Sequence, residues 1–186
     1  RGLPKNFNPI EFGSWMGGDR DGNPNVTSQI TEEVILLSRW EAANLYEKEF
    51  TKIIQDLSIY ECSREIKKIV GKSQEPYRSY LRPIRNKLKV TQKQIENYLI
   101  ENSYLDEKLI VNSIIEIINP LKVVYTSLCQ AKCKSIADGS VLDLLRRAYS
   151  FGLNLAKIDI RQEASRHTSL IEKIYKQKRK KKFNNL

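Results

Sequence analysis

The stretch from Phe12 to Thr27 constrains the fold of this 186-residue chain more than any other. Its glycines and its proline follow neither the 3.6-residue period of an amphipathic helix nor the alternation of a half-buried strand. Glycine at this density supplies unusual backbone angles, or lets another group approach the backbone closely. Asp21-Gly22 and Asn23-Pro24 are turn dipeptides, and Thr27 to Thr31 offer caps for a following helix. Ile10 to Met16 predict a short strand with Ile10 and Phe12 on one face. The local order is then strand, glycine-rich loop, helix.

Beyond the loop the periodicity is helical. Leu36, Trp40, Ala43, Phe50, Ile54 and Leu57 recur at three- and four-residue spacing, interrupted at Glu47, and predict a helix of about 26 residues from near Thr31. Ile66, Ile69 and Val70 suggest a short helix closed by Gly71. Pro76 suits the first turn of the next helix, whose stripe is Tyr77, Leu81, Ile84, Leu88, Thr91, Ile95 and Tyr98. Pro83 should kink or interrupt it. Val111 to Ile118 is a further helical stretch, punctuated by Asn119-Pro120, with Leu121, Val124, Tyr125 and Leu128 on a new helix. Asp138-Gly139-Ser140 reads as a turn and cap before a helix from Val141 to Ser150. In Leu153 to Arg161 the pairs Leu153/Leu155 and Ile158/Ile160 alternate, which predicts a second strand. Residues 168–176 look helical, and residues 176–186 are expected to form a basic, disordered tail. The expected architecture is α-rich α/β, with long helices between two short strands.

Composition narrows the function classes. Of the net charge of +10, six charges sit in the last eleven residues, so the body is only mildly basic. That concentration does not suggest a nucleic-acid-binding surface over the whole chain. No apolar run approaches the ~18 residues of a membrane span. Cys62, Cys129 and Cys133 are an odd set without a disulfide framework. With His167 as the one histidine they make a poor zinc set, and they read as free thiols in a reducing cytoplasm. The chain starts at Arg1, which suggests an internal fragment or a processed chain.

Both strands deliver polar loops, Gly17–Asn25 and Arg161–His167, and strand ends of this kind are where α/β barrels place functional groups. Each loop also has a plain reading, as a simple turn and as a salt-bridged helix start. Standard cradles fail on the first loop. Counted from Asp19, a calcium loop would need Gly at position 6 and Glu at 12, where Pro24 and Ile30 stand. The P-loop and dinucleotide fingerprints are absent. Asn25-Val26-Thr27 matches a glycosylation sequon by chance. In the second loop Arg161 follows an apolar strand, and its planar fork suits phosphate or carboxylate. Glu163 is placed to orient that fork. His167 is the residue type suited to acid–base work, although a lone histidine is more often structural.

Gly13-Ser14-Trp15-Met16-Gly17-Gly18-Asp19-Arg20-Asp21-Gly22-Asn23-Pro24 closely resembles a signature of the phosphoenolpyruvate carboxylase family. Ile158-Asp159-Ile160-Arg161-Gln162-Glu163-Ala164-Ser165-Arg166-His167 resembles a second segment of it. Leu36-Leu37-Ser38-Arg39-Trp40, Glu75-Pro76-Tyr77-Arg78 and Leu142-Asp143-Leu144-Leu145-Arg146-Arg147 also look like that family, so the resemblance covers about residues 3–175. After about Ile174 the chain leaves the pattern.

The resemblance implies a fragment of an α-rich enzyme built around an eight-stranded α/β barrel, a cytoplasmic homotetramer, with two of the eight strands here. Such an enzyme is a lyase of carbon dioxide fixation that feeds the tricarboxylic acid cycle. It carboxylates phosphoenolpyruvate with bicarbonate to oxaloacetate and phosphate, using Mg²⁺ or Mn²⁺ and no biotin. The resemblance makes Arg161 a contact to the substrate phosphate and Trp15 part of an apolar wall beside the reacting centre. Gly17, Gly18, Asp19, Arg20, Asp21 and Asn23 then shape the loop. Arg78 falls where some members have an anionic-activator pocket. The family's catalytic histidine segment, metal carboxylates, catalytic lysine and glycine-rich arginine loop are not in this chain, so no complete catalytic set and no metal ligands are expected, and the chain alone should be inactive. Two strands without barrel partners would also leave open edges. Two other classes remain open: a helical nucleic-acid-binding protein using the basic tail, and a non-catalytic assembly partner of a full-length carboxylase.

Overall fold

The computed structural model describes residues 4 and 6–183. It is helix-rich, with one small two-stranded sheet. The chain divides into two compact units, one made of Arg1–Phe12 and Ile35–Lys157, the other of Gly13–Val34 and Ile158–Leu186.

Helix α1 spans Ser28–Asp56, three residues earlier than Thr31, because the Thr27 hydroxyl accepts the Ile30 amide at 3.2 Å and caps the first turn. From Ile35 onward α1 belongs to the first unit. Its buried stripe holds Leu36, Ala43, Phe50 and Ile54 as read from spacing, and also Ala42, Tyr46 and Ile53, with Leu57 buried just beyond its last residue. Tyr46 fills the gap at Glu47: its ring is buried and its hydroxyl donates to the Gly152 carbonyl at 2.6 Å. Helix α2, Arg64–Val70, is capped by the Ser63 side chain and ends at Gly71, whose φ of 65° a residue with a Cβ adopts only under strain. Ile69 is exposed, so this helix is anchored by the buried Ile66 and by Val70, which packs against the core.

Helix α3, Pro76–Glu101, and helix α4, Ile115–Gln130, each carry an internal proline, Pro83 and Pro120. Neither proline ends its helix, against the interruption and the new helix expected from sequence. Each forfeits one backbone hydrogen bond. Yet Leu81 and Leu88 flank Pro83, and Ile117, Leu121 and Leu128 flank Pro120, all essentially fully buried. Each such side chain contributes about 2 kcal/mol on leaving water, enough to hold the helix through the defect. Helix α4 packs against α2 and α3, and against α6 (Leu142–Phe151) beyond the short α5 (Lys134–Ile136). Residues Ala137–Val141 form a π-type turn broken at Gly139, in place of a simple turn and cap.

The first strand is shorter than predicted. Only Gly13–Ser14 is β1, and Ile10 and Phe12 are exposed, with Phe12 stacked on Phe151 at 5.5 Å. The second strand, β2, is Lys157–Ile158. Leu153 and Leu155 alternate for another reason: the chain turns there, with Leu155 at φ 62°, and both side chains pack on the helical core. Helix α7 spans Ala164–Phe183, so the residues up to 183 are helical where disorder was expected. Lysine and arginine are good helix formers, and cations suit a helix C-terminus. The tail's last residues, 184–186, lie outside the described residues.

Burial makes this core sensitive to alkali. It pushes the Tyr46, Tyr77 and Tyr80 phenols up, and the hydrogen bond to Asp138, with burial, pushes Tyr125 up to about 12. Below the ordinary tyrosine value of 10.0 these groups are neutral folded and unfolded, and their contribution is complete. Above it the unfolded chain ionises first, so stability is lost as pH rises through the folded values. The melting temperature is expected to fall steeply from pH 10 towards 12, and less steeply in Tyr46→Phe. An equal fall in both proteins would contradict the assignment to Tyr46.

Candidate functional site

The second unit brings the glycine loop and the end of β2 together. The Ser14 carbonyl accepts the Asp159 amide at 3.0 Å, the Gly18 carbonyl accepts the Arg161 amide at 3.0 Å, and the Arg161 carbonyl accepts the Arg20 amide at 2.9 Å. Asp19 and Arg161 form a parallel bridge. The loop therefore runs as an irregular extension of the strand pairing, and Arg161 is built into that pairing by its own backbone.

Glycine is required at two positions. The Trp15 carbonyl accepts the Gly18 and Asp19 amides at 3.0 and 3.1 Å, closing a tight turn. Gly17, inside that turn, has φ 71°, and a Cβ there would stand 2.8 Å from Val34 Cγ2. A Cβ on Gly18 would run into the Asp159 carbonyl oxygen. Gly18 thus lets the two strands meet.

The polar residues of the loop divide their work. The Arg20 guanidinium donates to the Thr31 hydroxyl at 2.6 Å, and that hydroxyl donates to the Gly17 carbonyl at 2.6 Å, tying the loop to the first turn of α1. The Asn23 side chain accepts the Asn25 amide at 3.0 Å, and Asp19 accepts the Asp21 amide at 3.4 Å; both are local turns. The Arg161 guanidinium lies 3.8 Å from Asp19 Oδ2, 3.7 Å from Asp21 Oδ2 and 5.4 Å from the centre of the Trp15 ring. Cation–π contact and two ion pairs hold it over the loop, and the side chain is still 49% exposed. No protein hydrogen bond uses its N–H fork among the described residues, so the fork is available to an oxyanion.

Glu163 was expected to orient that fork, but Asp19 and Asp21 take the position. No sequence signal announced this, because it depends on the parallel pairing of two segments about 140 residues apart. Trp15 is 60% exposed beside Arg161. His167 is exposed on α7. In the first unit Arg78 donates to the Ile54 and Gln55 carbonyls at 2.8 and 2.9 Å and pairs with Glu75, which caps the end of α1. The three cysteines are free thiols. Among the described residues no three histidine, cysteine or acidic side chains converge on a metal position. No helix there is long and apolar enough to cross a membrane.

The sequence profile of the phosphoenolpyruvate carboxylase family matches residues 1–186. The chain belongs to the phosphoenolpyruvate carboxylase family. It is 44% identical to the phosphoenolpyruvate carboxylase of Hahella chejuensis over 173 residues, which is 93% of this chain and 20% of that protein. The enzymes of Acinetobacter baumannii (44% over 173 residues) and Vibrio vulnificus (42% over 175 residues) match over 92% and 94% of this chain and 19% and 20% of their own lengths. The chain thus spans about a fifth of the length of the curated carboxylases it matches.

Proposed function

We propose that the chain forms one part of a phosphoenolpyruvate carboxylase, which joins phosphoenolpyruvate and bicarbonate to give oxaloacetate and phosphate. The observation that carries this reading is Arg161, set at a strand end with its fork unspent, in a chain of this family. Arg161 contacts the substrate phosphoryl oxygens, whose charge must be balanced during phosphoryl transfer. Trp15 walls the reacting centre and keeps water from protonating the enolate to pyruvate. Gly17, Gly18, Asp19, Arg20, Asp21 and Asn23 shape the loop that holds both. β1 and β2 are two strands of an eight-stranded α/β barrel in a cytoplasmic tetramer.

One guanidinium facing two carboxylates is a poor clamp for a phosphate dianion, because Asp19 and Asp21 repel what Arg161 attracts. Further cations are needed, and they lie in other parts of the enzyme. The described residues likewise do not fit the Mg²⁺ or Mn²⁺ site of such an enzyme. Purified alone, the chain is expected to form no oxaloacetate in an assay coupled to NADH oxidation. Supplied in trans to the Hahella chejuensis carboxylase lacking its matched segment, it is expected to restore activity. Oxaloacetate formation by the isolated chain, or no restoration by a folded one, would overturn the proposal.

A further inference from the structure

Thr31 stands outside the glycine loop, in the first turn of α1. Among the described residues it is the one buried polar side chain of the second unit, 5% exposed. A hydroxyl withdrawn from water needs protein partners. Its two short bonds both go to the loop. It donates to the Gly17 carbonyl and accepts from the Arg20 guanidinium, each at 2.6 Å, with the Thr27 carbonyl a longer second acceptor at 3.1 Å. The Arg20 guanidinium makes no other hydrogen bond among the described residues, and its Nε is buried without a partner there. The orientation of Arg20 therefore depends on this one hydroxyl.

Those two bonds lead to the two residues of the site. Gly17 lies inside the turn that the Trp15 carbonyl closes with the Gly18 and Asp19 amides, so fixing Gly17 fixes the turn that carries Trp15. The Arg20 amide donates to the Arg161 carbonyl at 2.9 Å, so fixing Arg20 fixes the backbone from which Arg161 projects. A buried hydrogen-bond network is rigid when its members are satisfied and loosens when one is lost.

We infer that Thr31 is a positioning residue for carboxylation, its hydroxyl holding the Trp15 wall and the Arg161 guanidinium in one register. The inference rests on the carboxylase reading above. A wall that shifts admits water. The enolate carbon then takes a proton in place of a bond to carbon dioxide, and pyruvate forms instead of oxaloacetate.

Thr31→Val keeps the shape of the side chain and removes the hydroxyl. In the full 186-residue chain it is expected to speed amide hydrogen exchange at Gly18, Asp19 and Arg20 by about tenfold or more. In the reconstituted carboxylase it should lower kcat by about tenfold or more and raise the ratio of pyruvate to oxaloacetate, read with lactate and malate dehydrogenases. Thr31→Ser, which keeps the hydroxyl, should restore both. Thr91→Val is the control. Thr91 is also buried, in the first unit, where it accepts the Val111 amide at 2.9 Å and donates to the Lys87 carbonyl at 2.8 Å. Its loss should cost stability and leave the product ratio at the wild-type value. Unchanged exchange at the three amides in Thr31→Val, a wild-type product ratio in that variant, or an equal rise in Thr91→Val would each overturn the inference. A wild-type chain that restores no activity would overturn the carboxylase reading instead, and the exchange rates would still decide whether Thr31 holds the loop.

Discussion

Replacing Arg161 with alanine is expected to lower kcat/KM of the reconstituted carboxylase by about a hundredfold or more, the scale on which single charge-stabilising donors act in oxyanion sites. The guanidinium makes no hydrogen bond among the described residues, so its loss should cost the folded chain little. Its ion pairs with Asp19 and Asp21 are long and half-exposed, and pairs of this kind contribute at most about 1 kcal/mol. Activity and stability therefore separate: a large kinetic loss with a nearly unchanged melting temperature. Lysine at this position keeps the charge but not the planar fork, so Arg161→Lys should recover only part of the rate. Wild-type kinetics in Arg161→Ala would remove this residue from the phosphate site.

Gly18→Ala is expected to have the largest structural effect in the loop. Its Cβ would meet a backbone carbonyl, that of Asp159, and would also stand 2.8 Å from Ile158 Cγ2. A backbone oxygen cannot move aside as a flexible side chain does, so the strand pairing must open. The cost should reach about 3 kcal/mol, the upper range for overpacking. Faster amide hydrogen exchange at Arg20 and Arg161, whose N–H groups bridge the two segments, is the direct readout. Gly22→Ala is the control. Gly22, unlike Gly18, has a positive φ, of 71°, but it faces open space, so only the left-handed backbone penalty of about 1 kcal/mol applies. If Gly18→Ala cost no more than Gly22→Ala, close strand approach would not be the reason for glycine there.

Much of the helical framework could be read directly. Three- and four-residue spacing located α1 and α3, and Gly71 and Gly152, both at positive φ, end helices as a glycine C-cap should. The errors share a cause, since local rules were applied where burial decides. Pro83 and Pro120 are helix breakers locally, yet the apolar stripe runs through each and outweighs one lost hydrogen bond. Leu153 and Leu155 alternate like a strand, but they are turn residues that reach the helical core.

By itself the sequence determined the helix stripes, the position of the glycine loop and, through two long motifs, the family. It also marked Arg161 and Trp15 as residues to examine, because an arginine after an apolar strand and a tryptophan before a glycine pair are visible without coordinates. Tertiary structure decided what surrounds Arg161. Parallel pairing sets Asp19 beside Arg161 and Gly18 against Asp159, and brings Asp21 and Trp15 around the guanidinium. Such contacts join segments far apart in the chain, and no local propensity or period encodes which strand end will meet which loop.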